Sequence, residues 1–178
     1  MSECIQSSLT VQNIILVGFM AAGKSSVGQI LAQELGWDYI DTDYEIERLT
    51  GFTVAELFSK YGEAGFRAEE SHMVRRLANV QNNVIATGGG MILNPDNLAR
   101  LEKIGILIHL YVPLKVALQR AEGCEERPLL AKNKEELERL WIERQDTYNK
   151  ASLTIDTSDK DIAAMAAEIL TLLKGGQG

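Results

Sequence analysis

The sequence predicts a three-layer α/β/α fold, in which a parallel sheet of five strands lies between two layers of helices. Five short segments are rich in apolar and β-branched residues, as strands buried on both faces of a sheet are. Segments with the period of a helix separate them, and such alternation is typical of parallel sheets, whose crossovers are helices. The predicted strands are Asn13–Val17, Tyr39–Ile40, Val84–Ala86, Ile106–Val112 and Leu153–Asp156.

Several predicted helices carry signals at their ends. Gly36 stops the helix after the first strand, Thr53–Glu56 has the pattern of a capping box, and Asn94-Pro95 places a cap before a proline. Residues 122–133 are polar, contain glycine and proline and lack a helical period, which predicts a mobile loop. Because no repeat or linker divides the chain, we expect one domain over residues 1–178, with a lid at about 122–133.

Composition and charge argue against several classes of partner. The net charge of −7 disfavours binding to nucleic acid or to an anionic membrane surface. No segment approaches the roughly 20 apolar residues of a membrane span, and the first residues lack the pattern of a signal peptide. Cys4 and Cys124 have no metal-binding spacing, which favours a reducing compartment. We therefore expect a cytoplasmic protein with no nucleic-acid and no membrane partner.

A glycine-rich segment follows the first predicted strand and precedes a helix. Gly18-Phe-Met-Ala-Ala-Gly23-Lys24-Ser25 matches the phosphate-loop pattern G-x-x-x-x-G-K-S/T. The glycines let backbone N–H groups point at phosphate oxygens, the lysine supplies a cation for the β- and γ-phosphates, and the serine hydroxyl can bind Mg²⁺. An ordinary strand–turn–helix corner is the alternative, but the complete motif in this context predicts a site for a magnesium–nucleoside triphosphate complex.

Two acidic residues, Asp41 and Asp43, end the second predicted strand. Ligands of open α/β sheets bind outside the carboxyl ends of the strands, so both acids should lie beside the phosphate loop. One carboxylate can orient Mg²⁺ and its waters while the other accepts a proton from an attacking hydroxyl. The alternative is that Asp43 only caps a helix beginning at Tyr44.

Glycines and arginines complete the candidate residues. Gly88-Gly89-Gly90 follows the third strand and would let backbone approach a ligand closely, although a plain turn would look the same. For Arg67 the alternative is a purely structural role, in which it pairs with its neighbours Glu69 and Glu70 as exposed helical arginines often do. Arg127 lies in the predicted lid, where an arginine would stabilise the charge of a transferring phosphate and help to exclude water.

Together these motifs resemble those of the shikimate kinase family, in its order and at about its spacing. The matching segments are Gly18–Gly28, Asp41–Asp43, Phe66–Glu70, Thr87–Gly90, Arg127–Leu130 and Arg144–Tyr148. The resemblance implies a P-loop fold like that of nucleoside monophosphate kinases. It also implies a monomer that uses ATP to phosphorylate the 3-hydroxyl of shikimate, a step of chorismate biosynthesis.

The resemblance further implies a role for each matching residue. Nucleotide contacts would come from Gly18, Ala21, Ala22, Gly23, Lys24, Ser25, Ser26, Arg120 and Arg127. Shikimate contacts would come from Asp43, Arg67, Gly88, Gly89, Gly90 and Arg144, with the two arginines on its carboxylate. Ser25 and Asp41 would hold Mg²⁺, and catalysis would depend on Asp43 as the base together with Lys24 and Arg127.

One residue departs from the family pattern. Ala21 stands where the family more often has glycine, which costs stability only if this residue needs a positive φ. Neither of the two histidines has a partner that the sequence reveals. We interpret His72 as a helix-surface residue and His109 as part of an apolar strand.

Three other functions are alternatives to a shikimate kinase. A gluconate-type or nucleoside monophosphate kinase would share the phosphate loop, but it would leave the combination of Asp43, Arg67 and Arg144 unexplained. A nucleotide switch would be suggested by Asn133-Lys-Glu-Glu, which resembles the N-K-x-D of GTPases but ends in Glu and follows no predicted strand. A purely structural role explains neither the phosphate loop nor the acids.

Overall fold

The computed structural model describes residues 11–121 and 133–175. Most of the predicted lid, residues 122–132 with Arg127, lies outside these ranges. All five strands of the described chain are parallel and form one sheet with the order β2-β3-β1-β4-β5. They are β1 (Asn13–Val17), β2 (Asp38–Asp41), β3 (Asn83–Ala86), β4 (Ile106–Tyr111) and β5 (Leu153–Asp156). The predicted α/β fold with a five-stranded parallel sheet is confirmed.

Helices connect successive strands and pack on the sheet. They are α1 (Lys24–Leu35), α2 (Thr42–Thr50), α3 (Val54–Arg76), α4 (Pro95–Ile104), α5 (Leu114–Ala121), α6 (Lys134–Tyr148) and α7 (Ile162–Gly175). Helix α1 packs against α7, and α3 packs against α4. Within the described ranges, none of the helices is long and apolar enough to cross a membrane.

The ends of the helices follow the sequence signals. Gly36 ends α1 with a φ of 66°, the left-handed conformation that glycine adopts without steric cost. Thr53 and Glu56 form a complete capping box at the start of α3. The Asn94 side chain caps α4, with Pro95 in its first turn. Gly62 interrupts α3, because its φ of 67° and ψ of −178° are not helical.

A buried asparagine closes the amino end of the sheet. Asn13 donates through Nδ2 to the carbonyl oxygens of Val80 (2.9 Å) and Ile104 (2.7 Å), and its Oδ1 accepts from the N–H of Asn83 (3.0 Å). These bonds satisfy backbone groups that burial would otherwise leave without partners. Because the strands are parallel, the segments that follow β1, β2 and β3 meet at the opposite, carboxyl end.

Candidate active site

The phosphate loop connects β1 to α1 and is shaped by glycine. Gly18 has a φ of 144°, and a Cβ added there would lie 2.5 Å from the carbonyl oxygen of Leu110 on β4. Lys24 folds back over the loop, where its Nζ donates to the carbonyl oxygens of Gly18 and Phe19, both at 2.9 Å. No side chain of the described residues caps α1, so the positive end of that helix faces the loop.

Ala21 adopts the conformation that was in question. Its φ is 57°, in the left-handed region where residues other than glycine are strained. Alanine therefore costs stability here relative to glycine. The expected cost is about 1–2 kcal/mol, the order of magnitude for an L-residue in the left-handed region. The neighbouring Ala22 is buried beneath the loop, and Ser26 is exposed on the first turn of α1.

Two oxygen ligands suited to Mg²⁺ lie next to each other at the end of β2. Ser25 Oγ donates to Asp41 Oδ2 at 2.9 Å, so a hydroxyl and a carboxylate oxygen converge beside the phosphate loop. Magnesium usually takes one or two protein oxygens and completes its shell with phosphates and waters. The described residues include no group of three or more His, Cys, Asp or Glu side chains that could hold a metal, and the Ser25–Asp41 pair fits this open kind of site.

Tyr39 also contacts this pair, and we did not predict it from the sequence. Its hydroxyl donates to Asp41 Oδ2 at 3.2 Å. Burial raises the pKa of Tyr39 to about 12, so it remains a donor at neutral pH. Gly28 makes room for the ring, because a Cβ there would lie 2.7 Å from Tyr39 Cε2. Tyr39 lies two residues before Asp41 on a strand, so both side chains are on the same face of the sheet. This spacing is the sequence signal that could have identified Tyr39.

Asp41, not Asp43, caps α2. Asp41 Oδ1 accepts from the N–H groups of Asp43 (3.1 Å) and Tyr44 (3.3 Å), and the helix begins at Thr42. The alternative that Asp43 is the cap is therefore wrong, since the helix starts two residues earlier than that reading assumed. Asp43 is instead inside the first turn, with its side chain turned toward the segment after β3.

The Asp43 carboxylate is buried, and its surroundings change its pKa. Its Oδ1 is buried and has no hydrogen-bond partner in the described parts of the chain. Burial, followed by the negative charge of Asp41, raises the pKa of Asp43 to about 6, against the opposing effect of Lys24. A carboxylate with this pKa is ionised at neutral pH but accepts a proton more readily than an ordinary aspartate.

The first glycine of the triplet lies against two carboxylates. A Cβ at Gly88 would lie 2.5 Å from Asp43 Oδ1 and 3.0 Å from Glu70 Oε1. The N–H of Gly88 donates to Thr42 Oγ1 at 2.9 Å, which fixes the triplet to the start of α2. Glycine at this position therefore allows the two acids to approach the backbone.

The other two glycines lie against the two arginines. A Cβ at Gly89 would lie 3.2 Å from Arg144 Nη1, and a Cβ at Gly90 would overlap the guanidinium group of Arg67. A Cβ at Gly89 would also lie 3.5 Å from the carbonyl oxygen of Gly18. The interpretation of the triplet as a plain turn does not account for these contacts, which bring the phosphate loop and both arginines to one short segment.

Arg67 forms ion pairs on α3, only one of which we considered from the sequence. Its Nη1 donates to Glu70 Oε2 at 2.7 Å, and its Nη2 donates to Glu63 Oε1 at 2.9 Å. Glu69, the other residue that we considered, forms no ion pair within the described ranges. Burial raises the pKa of Glu70, which is only 1% exposed, while the nearby Arg67 opposes this shift.

Arg144 is a buried cation on α6. It is 4% exposed, and none of the described carboxylates forms an ion pair with it. Its guanidinium carbon lies 5.8 Å from the centre of the Phe19 ring, and Tyr148, one turn later on α6, donates its hydroxyl to the Gly89 carbonyl at 2.6 Å. The charge of Arg144 also acts on the buried Glu70, where it opposes the rise in pKa that burial causes, but the two do not form an ion pair. A buried cation that no carboxylate pairs directly is suited to an anionic ligand.

Arg120 and the candidate guanine-reading segment have other contacts. Arg120 donates to the hydroxyl of Thr157 (3.1 Å) and to its carbonyl oxygen (2.6 Å), in the segment after β5. Its predicted nucleotide contact therefore stays a prediction. Asn133 forms a capping box with Glu136 at the start of α6, which gives the Asn-Lys-Glu-Glu segment a structural role.

Comparison with known proteins shows the family of the chain. A family model described as shikimate kinase matches residues 20–174. A shikimate kinase of Pelotomaculum thermopropionicum is 42% identical over 166 residues, which cover 92% of this chain and 96% of that protein. The chain belongs to the shikimate kinase family. Shikimate kinases are ATP-dependent kinases that phosphorylate a hydroxyl of shikimate, and this is the function of the chain.

Solved structures give the same result. The shikimate kinase from Acinetobacter baumannii in complex with shikimate matches this chain with a TM-score of 0.93 at 38% identity, covering 99% of each chain. A gluconokinase from Sinorhizobium meliloti has a TM-score of 0.60 at 18% identity over 91% of each chain. The second likeness concerns the fold alone.

Proposed function

We propose that this chain transfers the γ-phosphate of ATP directly to the 3-hydroxyl of shikimate, with Asp43 as the base. One observation carries this proposal: a Cβ built on Gly89 would lie 3.5 Å from the Gly18 carbonyl oxygen and 3.2 Å from Arg144 Nη1, so the phosphate loop and Arg144 both border this glycine. A group held by the phosphate loop and an anion held by the arginine would therefore be neighbours. Positioning of this kind is the main source of catalysis in phosphoryl transfer.

Shikimate would bind beside the triplet, with its carboxylate on the two arginines Arg67 and Arg144 that lie against it. A planar guanidinium group matches a carboxylate with two parallel hydrogen bonds, which suits Arg67 and Arg144 to the acid group of the substrate. Local cations are needed because the protein as a whole has a net charge of −7. The backbone of Gly88–Gly90 would complete this side of the site, and Asp43 would face the hydroxyl groups.

ATP would bind along the phosphate loop and the first turn of α1. The backbone from Gly18 to Ser26 and the Lys24 ammonium would hold the phosphates, with Arg120 and Arg127 contributing further contacts. Ser25 and Asp41 would hold Mg²⁺, which when bound neutralises phosphate charge and orients the γ-phosphate. Because Arg127 belongs to the segment at 122–133, the proposal includes this segment as a lid over the nucleotide.

The chemical step needs one proton acceptor. The bond from the γ-phosphorus to the bridging oxygen breaks, the bond to the substrate oxygen forms, and the hydroxyl proton passes to Asp43. Burial of Asp43 and the charge of Asp41 give the pKa of about 6 that suits this task at neutral pH. Lys24 and Arg127 would stabilise the charge on the moving phosphoryl group, without a covalent enzyme intermediate.

The proposal also covers the organisation of the enzyme. We expect a single catalytic domain over residues 1–178 that acts as a cytoplasmic monomer. The mass of one chain is 19.7 kDa, so light scattering at the concentrations used for activity would test the oligomeric state.

A substrate panel tests the proposed function. ADP release would be measured with shikimate, gluconate and nucleoside monophosphates as acceptors, and phosphorus NMR would locate the phosphate on the product. We expect turnover with shikimate alone and phosphate on its 3-hydroxyl. Turnover confined to another acceptor, or phosphate on a different hydroxyl, would refute the proposal.

A further inference from the structure

The two arginines of the site differ in their contacts. Arg144 is buried, its Nε has no hydrogen-bond partner, and it forms no ion pair with a described carboxylate. Arg67, in contrast, is bonded on both edges of its guanidinium group, to Glu70 on one side and to Glu63 on the other. Only Arg144 therefore meets an incoming carboxylate without first losing an ion pair on the described part of the chain.

The two glutamates that hold Arg67 are unlike each other. The Glu70 side chain is 1% exposed and reaches Nη1 from beneath the triplet, whereas the Glu63 side chain is 69% exposed. Glu63 Oε1 accepts from both Nε (3.3 Å) and Nη2 (2.9 Å) of Arg67. The Nε–Nη2 edge is one of the edges on which arginine binds a carboxylate with two hydrogen bonds.

We infer that Glu63 is an internal competitor for the carboxylate of the substrate. It occupies the outer edge of Arg67 in the free enzyme and is displaced when the acid binds. The acid would bind Arg144 and replace Glu63 on Arg67, while Glu70 stays in place. This inference rests on the proposed function, because it takes the shikimate carboxylate as the competing anion.

The exposure of Glu63 suits this role. An exposed ion pair contributes little to stability because water and salt screen it, so its displacement costs little. The buried pair with Glu70 is not replaced so easily, because separating it would leave a charge buried and unpaired. Glu63 should therefore lower the affinity for the substrate by a small factor, about two- to fivefold, the range that an exposed pair can supply.

The test replaces Glu63 with glutamine and uses a neighbour as the control. Glu69→Gln removes the same charge from the same helix at a residue with no ion pair to Arg67. The KM for shikimate would be measured at saturating ATP, and the KM for ATP and the melting temperature would be measured alongside. We expect Glu63→Gln to lower the KM for shikimate about two- to fivefold. In Glu69→Gln the KM for shikimate should be unchanged, and in both variants the KM for ATP should be unchanged.

Three results would overturn the inference. An unchanged shikimate KM in Glu63→Gln would show that the pair does not compete, and a raised KM would show that Glu63 helps Arg67 to bind. An equal fall in Glu69→Gln would show that the effect is one of net charge alone. Failure of the proposed function is distinguishable, because it would appear as absence of shikimate turnover in the unmodified enzyme.

Discussion

Asp41 and Asp43 lie two positions apart, yet the fold gives them different partners. Asp41 accepts hydrogen bonds from Ser25, Tyr39 and the first turn of α2, all of which hold its carboxylate in one orientation. Asp43 Oδ1 is buried with no partner among the described residues, and the charge of Asp41 contributes to its raised pKa. The first acid is thus suited to orienting a cation and the second to accepting a proton.

Replacement of Asp43 by asparagine tests this division. Because the amide cannot accept the proton of the hydroxyl, we expect kcat to fall by about 10²-fold or more, the usual contribution of a positioned base. The affinity for ATP, measured by calorimetry, should stay within about twofold, a change that corresponds to less than half a kcal/mol. Asp96→Asn, at an exposed residue on α4, is the matched control. A kcat near that of the unmodified enzyme would remove the base role from Asp43.

Among the structural elements, the segment after β3 does most to assemble the site. It begins with Thr87, whose N–H and hydroxyl both donate to the carbonyl of Leu16 on β1, and it continues through three glycines that lie against acids and arginines from α2, α3 and α6. The absence of side chains is what allows charged groups from three helices to converge on one stretch of backbone. We expect substitutions here to affect substrate binding more than folding.

Gly90→Ala tests this expectation. Gly90 has a φ of −103°, which alanine adopts without strain, so the new methyl group acts through its contact with the Arg67 guanidinium and not through the backbone. Displacing Arg67 should raise the KM for shikimate about tenfold or more, as the loss of a charge contact does, and leave the KM for ATP nearly unchanged. The control is Gly175→Ala, where a Cβ meets no atom within 4 Å. An unchanged shikimate KM would mean that Arg67 leaves this position when substrate binds.

At the scale of the whole molecule, the sheet core extends directly beneath the site. His109 on β4 is 1% exposed and lies 5.1 Å from the ring of Tyr148 and 6.0 Å from the ring of Tyr111, measured between ring centres. Its Nδ1 has no hydrogen-bond partner among the residues described. Burial, and to a smaller extent the charge of Lys24, lowers the pKa of His109 to about 4. This core therefore favours the neutral form of the ring.

Stability should accordingly depend on pH through His109. In the unfolded chain its imidazole takes a proton below a pKa of about 6.5, whereas in the folded protein it does so only near 4. Between these values the unfolded state binds more protons, so the free energy of unfolding falls as the pH falls, by up to about 1.4 kcal/mol per pH unit from this residue.

Urea unfolding at pH 7 and at pH 5 measures this dependence. Asp43, whose raised pKa makes the opposite contribution in this range, is present in every variant, so the comparison isolates His109. His109→Phe keeps a ring in the core and should retain more of its stability at pH 5 than the unmodified protein, whereas His72→Gln, at an exposed residue of α3, should behave like the unmodified protein. If His109→Phe loses as much stability as the unmodified protein, another group is the source.

Local patterns account for the parts of the site that the sequence predicts. The phosphate loop, the acids after β2 and the triplet after β3 each lie at the carboxyl end of a strand, so a parallel sheet brings them to one edge. Tyr39 and the pairing of Arg67 with Glu63 were missed. Strand and helix spacing make both contacts possible, but many residues have such spacing, and only burial and rotamer decide which of them meet.

The sequence by itself determined the five strands, the helix caps at Gly36, Thr53 and Asn94, and the phosphate loop, because these depend on residues within a few positions of one another. Only the tertiary structure decided the strand order, the choice of Asp41 over Asp43 as a cap, and the left-handed φ of Ala21. It also decided that Gly89 lies close to both Gly18 and Arg144, residues 71 positions before it and 55 positions after it. Contacts over such distances depend on how the whole sheet and its helices pack, which no local pattern encodes.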